Sequence, residues 1–203
     1  MPPSAPGSEH PTVALLARAQ RGEEAARDAL FRAAVPALLT YVRVRLGAAL
    51  RSRVEPEDVV HEAVMAALPQ LATFTAAGPG AFVAWLCRIA EHCITALADH
   101  HGARKRTPPG PQQAFSDVAT RLVAGGREPA SSAAWRDERA RVEAALQRLP
   151  DDLRDVLLRH YFQDQSLRDI AAATGRSVTT THRLLGRAAA TLGAALAPHR
   201  HQP

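Results

Sequence analysis

The sequence predicts an all-α protein built as two small helical domains joined by a flexible linker. Three observations carry that expectation. Apolar residues make up 46 % of 203 residues while aromatics make up only 4 %, so Ala and Leu dominate the apolar set and strong strand formers other than Val are scarce. Apolar positions recur at steps of three and four through most of the chain. A Pro- and Gly-rich break, GARKRTPPGPQQ, interrupts that periodicity midway.

The elements follow in order. Residues 1–11 hold four prolines among small polar residues and read as a disordered arm. Thr12 suits a cap for a helix over VALLARAQR that stops near Gly22. A second helix covers EEAARDALFRAAVPALLTYVRVRLG, with Leu30, Phe31, Leu38 and Val42 near helical spacing and Pro36 expected to kink or divide it. VEPEDVVHEAVMAALPQL then offers Pro56 at a first helical position and Glu57 and Asp58 where carboxylates complement a helix N-terminus. Its apolar stripe is Val60, Ala63, Val64, Ala67 and Leu71. After the loop TAAGPG, the helix AFVAWLCRIAEHCITALADHH places Phe82, Leu86, Ile89, Cys93 and Leu97 on one face, with Trp85 and Phe82 expected in the core.

Residues 102–130 read as the linker, with a weak helix at most over 115–123. Ser131 or Ser132 suits a cap for AAWRDERARVEAALQRL, and Pro150, Asp151 and Asp152 open DLRDVLLRHYF with Leu153, Val156, Leu157 and Tyr161 inward. The domains are therefore 12–101 and 131–197, with a tail over 198–203.

The last strong pattern is SLRDIAAATGRSVTTTHRLLGRA, residues 166–188. Ser166 and Asp169 have capping-box spacing, so a helix starts at Leu167. Ala171 is small where two helices cross closely, and Gly175 stands where the first helix must end with positive φ. Ser177 caps a second helix whose outer face carries Thr179, Thr180, His182, Arg183 and Arg187. From Ile170 to the C-terminus there is no acidic residue, while four arginines remain. Short helix, tight turn and polar, basic second helix make a helix-turn-helix that reads DNA: hydroxyl, imidazole and guanidinium groups bond phosphates and base edges. Thr174, Arg176 and Thr181 occupy positions that often point inward, so the packing is expected to lean on Val178, Leu184 and Leu185.

Charge agrees. The net charge is +5 and the pI about 10.2, a balance that favours a polyanionic partner. Lys105 is the only lysine, and the Arg and Ala bias also fits a GC-rich genome. Cys87 and Cys93 lie six residues apart on one helix and imply no disulfide framework. The N-terminus has neither the basic start nor the apolar run of a signal peptide, and no stretch approaches the ~20 apolar residues of a membrane span. The expectation is a cytoplasmic protein with no membrane insertion. No nucleophile triad, carboxylate dyad or Gly-rich phosphate loop is visible, so no enzyme and no cofactor are expected. Cys87, Glu91, His92, Cys93, His100 and His101 cluster in sequence but form no CxxC or HExxH pattern, and no metal is expected.

Taken together, LLARAQRGEEAARDALFRAAVPALLTYVRVRLG, EPEDVVHEAV, FTAAGPGAFVAWLCRIA and LQRLPDDLRDVLLRHYF followed by the helix-turn-helix resemble, in order and spacing, bacterial RNA polymerase sigma factors of the extracytoplasmic-function type. The resemblance leaves out the N-terminal arm and much of the linker. It implies a first domain that binds core RNA polymerase and melts the minus-ten element, and a second that binds the minus-thirty-five element of promoter DNA. By the same resemblance, Glu57, Asp58, Val59, His61 and Glu62 belong to the polymerase-binding helix, with Val59 supplying apolar contact area. Phe74, Arg88, His92, Arg104, Lys105 and Arg106 are implied along the unpaired strand, where an aromatic ring stacks on any base. Arg176 and Ser177 join the outer-face residues at the minus-thirty-five element, and an anti-sigma protein is a further possible partner.

The sequence departs from the family at eight positions. His61 stands where Gln is favoured, Val64 where an aromatic is, His92 where Asn is, and Ala96 where Asp is. Leu97, Asp99, His100 and His101 stand where basic residues are usual. A less positive melting face implies weaker unaided initiation. The rival reading of the residues is a repressor or activator that binds DNA without joining the polymerase.

Overall fold

The structure is a computed structural model and describes residues 11–46, 48–78, 80–100 and 133–196. Nine α-helices and one 3-10 segment appear among these residues, with no strand. Residues 1–10 of the expected N-terminal arm, the expected linker and tail, and with them Arg104, Lys105 and Arg106, lie outside the described residues, while Pro11, expected in the arm, opens the first helix.

Helix α1 (Pro11–Gln20) ends at Gly22, whose φ of +89° turns the chain towards α2 (Glu24–Arg45). Helix α2 runs through Pro36 undivided, so of the expected kink or division the division does not occur. Proline removes one N–H and leaves the rest of the ladder to form, and here ten residues of α2 are buried, so packing outweighs the missing bond. A short helix α3 (Ala48–Arg51) leads to α4 (Pro56–Ala67), which opens with Pro56 and carries Glu57 and Asp58 in its first turn. At Leu68 and Pro69 the chain tightens into a 3-10 segment (Leu68–Thr73).

Helix α5 (Ala81–His100) packs against α2 and α4. Its buried side chains are Phe82, Val83, Ala84, Leu86, Cys87, Ala90 and Ile94. The inner face is therefore rotated from the expected one: Ile89, Cys93 and Leu97 sit at its margin, partly buried. The apolar arc of α5 is wide, from Trp85 and Ile89 round to Cys87, so periodicity alone left its centre ambiguous, and two packing neighbours decide it. Residues 81–98 are long and apolar enough to span a membrane by length and composition, yet their inner side is core.

The remaining helices are α6 (Ala133–Arg148), α7 (Asp151–Tyr161), α8 (Leu167–Thr174) and α9 (Val178–Leu196). Leu153, Val156, Leu157 and Leu158 of α7 meet Leu184, Leu185, Ala188, Ala189 and Leu192 of α9 in the core. Arg154 staples the α6–α7 turn, its guanidinium donating to the carbonyls of Leu146, Gln147 and Leu149 at 3.0, 3.0 and 2.6 Å. These groups cap the C-terminal carbonyls of α6 that have no partner within the helix. The C-terminal helices also meet the N-terminal ones: α6 lies against α2, and Phe162 packs on Tyr41 with ring centroids 5.9 Å apart.

Candidate nucleic-acid and polymerase interfaces

The helix-turn-helix forms as its residues dictate. The Ser166 hydroxyl accepts a hydrogen bond from the Asp169 N–H at 3.2 Å, the N-cap bond of α8. Gly175 ends α8 in the left-handed region at φ +66°, and its N–H reaches the Ala171 and Ala172 carbonyls. Ser177 then caps α9, accepting from the Thr180 N–H at 3.1 Å. Such caps contribute about 1 kcal/mol each.

The outer face of α9 presents Thr179, His182, Arg183 and Arg187 to solvent, and Ser177 is exposed at its N-terminus. Thr179, Arg183 and Arg187 stand one turn apart, a polar ridge with a cation on two successive turns. Thr180 and Arg176 are half-buried beside it. Thr181 is buried and its hydroxyl donates to the Ser177 carbonyl at 3.1 Å, which satisfies it inside the fold. The expected inward role of Val178 is overturned: it is 46 % exposed, while Leu184 and Leu185 are in the core. Position 178 is the first residue of α9, ahead of the turn that meets α7, so it projects past the packing surface.

Helix α4 exposes Glu57, Asp58, His61 and Glu62. Met65, 54 % exposed, extends the ridge of Asp58, His61 and Glu62 by one turn and was missed by sequence reasoning. The available signal was an unbranched apolar residue off the stripe of Val60, Ala63 and Ala67. Val59 is corrected: at 1 % exposure it is core and offers no contact area to a partner. Glu57 accepts a hydrogen bond from Arg43 at 2.6 Å, and that bond holds its carboxyl below the usual carboxylate range.

Phe74 sits at the end of the 3-10 segment, half-buried and stacked on Trp85 with centroids 4.6 Å apart. Phe82 meets it edge-on at 5.9 Å. Gln20 of α1 fixes this corner by donating to the Leu71 and Phe74 carbonyls at 3.0 and 2.7 Å. Trp85 is only partly buried, so it shares the aromatic corner with Phe74 instead of lying wholly in the core as expected. His92 is exposed one turn beyond Arg88 on α5. Arg88 is half-buried and donates to the Gln163 carbonyl at 2.6 Å.

Sequence reasoning also missed a polar network under Arg88. The buried Tyr41 hydroxyl donates to Glu91 at 2.6 Å and accepts from the Gln163 amide at 2.5 Å. Arg45 grips Glu91 through two bonds of 2.7 and 2.5 Å. Glu91 is thus committed to Arg45 and Tyr41, and among the described residues no three His, Cys, Asp or Glu side chains gather as a metal site.

Comparison with known proteins agrees with this geometry. The family model "Sigma-70, region 4" matches residues 139–192, the span from α6 into α9. The chain is 33 % identical to the RNA polymerase sigma-H factor of Pseudomonas aeruginosa over 91 % of its own length and 93 % of the relative's. It is 28 % identical to the ECF RNA polymerase sigma factor SigD of Mycobacterium bovis, over 86 % of this chain and 80 % of that one. The SigD protein of Mycobacterium tuberculosis matches to the same extent. The chain belongs to the RNA polymerase sigma factors, in their extracytoplasmic-function type.

Proposed function

We infer that this protein binds core RNA polymerase and directs promoter-specific transcription initiation. One observation carries the reading: likeness to a sigma factor runs through both helical halves, over 91 % of the chain, and not through the helix-turn-helix alone. A repressor sharing only the DNA reader has no cause to share the first half.

The division of labour we assign is as follows. Residues 12–101 bind the polymerase and handle the minus-ten element. The exposed ridge of Asp58, His61, Glu62 and Met65 on α4, with Glu57 beside it, faces the polymerase. Its carboxylates suit a basic surface and Met65 supplies the apolar contact that Val59 does not. Phe74, on its aromatic corner, stacks on an unpaired base, and Arg88 and His92 follow the strand, with Arg104, Lys105 and Arg106 continuing the path. Residues 131–197 bind the minus-thirty-five element through Arg176, Ser177, Thr179, Thr180, His182, Arg183 and Arg187. The chain works without a cofactor and without catalysis of its own, as a cytoplasmic subunit, and an anti-sigma protein is the partner that would hold it in reserve. His92, with few cations after it on α5, makes melting weak without help.

The test is co-elution with core polymerase. The wild-type chain co-elutes, and Asp58→Ala weakens that binding several-fold while leaving the helical content intact. A chain that never joins core polymerase but still binds duplex DNA would establish the repressor reading instead.

A further inference from the structure

Among the described residues two large apolar side chains stand in solvent, Met65 at 54 % and Val178 at 46 % exposure. Met65 lies on the ridge of α4 assigned to the polymerase. Val178 opens α9, the DNA-reading helix, and stands outside the core cluster. Packing does not account for it. Helix propensity does not either, because a β-branched side chain loses freedom in a helix and a straight one would serve better.

The polar side chains around Val178 hold the first turn of α9 together. The Ser177 hydroxyl accepts from the Thr180 N–H at 3.1 Å and donates to the Thr180 hydroxyl at 2.8 Å. The buried Thr181 hydroxyl donates to the Ser177 carbonyl at 3.1 Å. The side chains this turn leaves most open to solvent, past the Ser177 cap, are Val178 and Thr179. A recognition helix enters the major groove with its N-terminal residues at the base edges, so these two are placed to meet them. A hydroxyl both donates and accepts, so it suits almost any base edge and discriminates poorly. Val178 discriminates sharply. It has no hydrogen-bonding group, and against a polar base edge it would displace water and return no bond. Of the four bases, thymine alone presents a methyl group in the major groove.

We propose that Val178 is a specificity-determining residue of the minus-thirty-five contact, packing its side chain on the 5-methyl group of one thymine. The proposal rests on the reading of α9 as the helix bound to that element. Helix geometry says where the thymine lies. Val178 and Arg183 are five residues apart on α9, about 7.5 Å along the axis at ~1.5 Å per residue. That is about two base-pair steps of ~3.4 Å. The thymine therefore stands about two base pairs from the base that Arg183 contacts.

Deoxyuridine scanning tests this. Holoenzyme assembled from this protein and core polymerase of its host selects duplexes from a pool randomised upstream of the minus-ten element. Each thymidine of the selected upstream element is then replaced by deoxyuridine, one at a time, which removes the methyl group and keeps the base pair. At one thymidine the replacement weakens wild-type binding about 4-fold, the worth of one buried methyl group. The same replacement has no effect on Val178→Ala, whereas Val178→Ile, which keeps an apolar side chain there, retains the loss. Circular dichroism and melting check both folds. Arg183→Ala relaxes the base preference about two pairs from that thymidine. A selected element without thymidine, or a methyl effect as large in Val178→Ala as in wild type, overturns the proposal. So does a scan in which no replacement weakens wild-type binding. A Val178→Ala protein that loses affinity for core polymerase while keeping the methyl effect also overturns it, since Val178 would then face protein. Holoenzyme that selects no upstream sequence and is indifferent to Arg183→Ala would overturn the reading of α9, and this proposal with it.

Discussion

At Gly175 the chain must enter the left-handed region to stop α8 and turn into α9. No neighbour lies within 4 Å of the space a Cβ would fill there, so a substitution is opposed by backbone strain alone. Gly175→Ala should therefore lower stability by about 1–2 kcal/mol, read as a lower melting temperature with little change in packing. Ser177→Ala, which strips the cap of α9, should cost about 1 kcal/mol. An unchanged melting curve in both would remove these two residues as the organisers of the turn. Residue-scale features of this kind were legible in the sequence, because a cap or a positive φ is decided within four residues. Val59 and Val178 were not. Helix α4 packs against both α2 and α5 and buries a wider arc than one stripe, which takes in Val59. Val178 is exposed because α9 begins before the surface it packs on.

The recognition helix is the element on which DNA affinity should turn. Arg183 and Arg187 are exposed on successive turns of α9, so removing either leaves the core untouched. Arg183→Ala or Arg187→Ala should each weaken promoter binding about 10-fold, within the ~1–3 kcal/mol of a good base contact. A residue that meets only phosphate should also reduce the salt slope by about one. Binding to core polymerase should survive both changes, and promoter affinities equal to wild type would sink the assignment of α9. The existence of the longer helices was legible, because capping, periodicity and breakers agree for each, whereas the four-residue α3 and the 3-10 segment after α4 are too short to carry a periodic signal. No division occurs at Pro36 because a local rule for helix ends was outweighed by the long buried face of α2.

At the scale of the molecule, the meeting of the halves was invisible in the sequence. Tyr41 and Gln163 are 122 residues apart in the chain, and nothing local marks either as a partner of the other. A buried tyrosine bonded to a carboxylate has a consequence that can be measured. Burial, and then the charge of Glu91, hold the Tyr41 hydroxyl well above its ordinary value near 10. A raised folded-state pKa contributes stability that is fully present below the unfolded value and is lost as pH rises towards the folded one. The melting temperature should therefore fall above about pH 10, where Tyr41 contributes a slope of up to about 1.4 kcal/mol per pH unit. Buried Cys87, whose thiol burial also pushes up, adds a slope of the same sign. Tyr41→Phe should flatten the alkaline fall without abolishing it; an identical fall in the variant would show that Tyr41 is not held neutral in the core.

What joins all scales is the proposal that one chain carries both a polymerase-facing surface on α4 and a DNA-reading surface on α9. The most direct measurement is transcription reconstituted from this protein, core polymerase of its own host and host genomic DNA, with the 5′ ends of the transcripts mapped. The account predicts start sites that appear only when the protein is added, share upstream sequence at the minus-ten and minus-thirty-five positions, and vanish with Arg183→Ala. Core polymerase giving the same transcripts with and without the protein would contradict it.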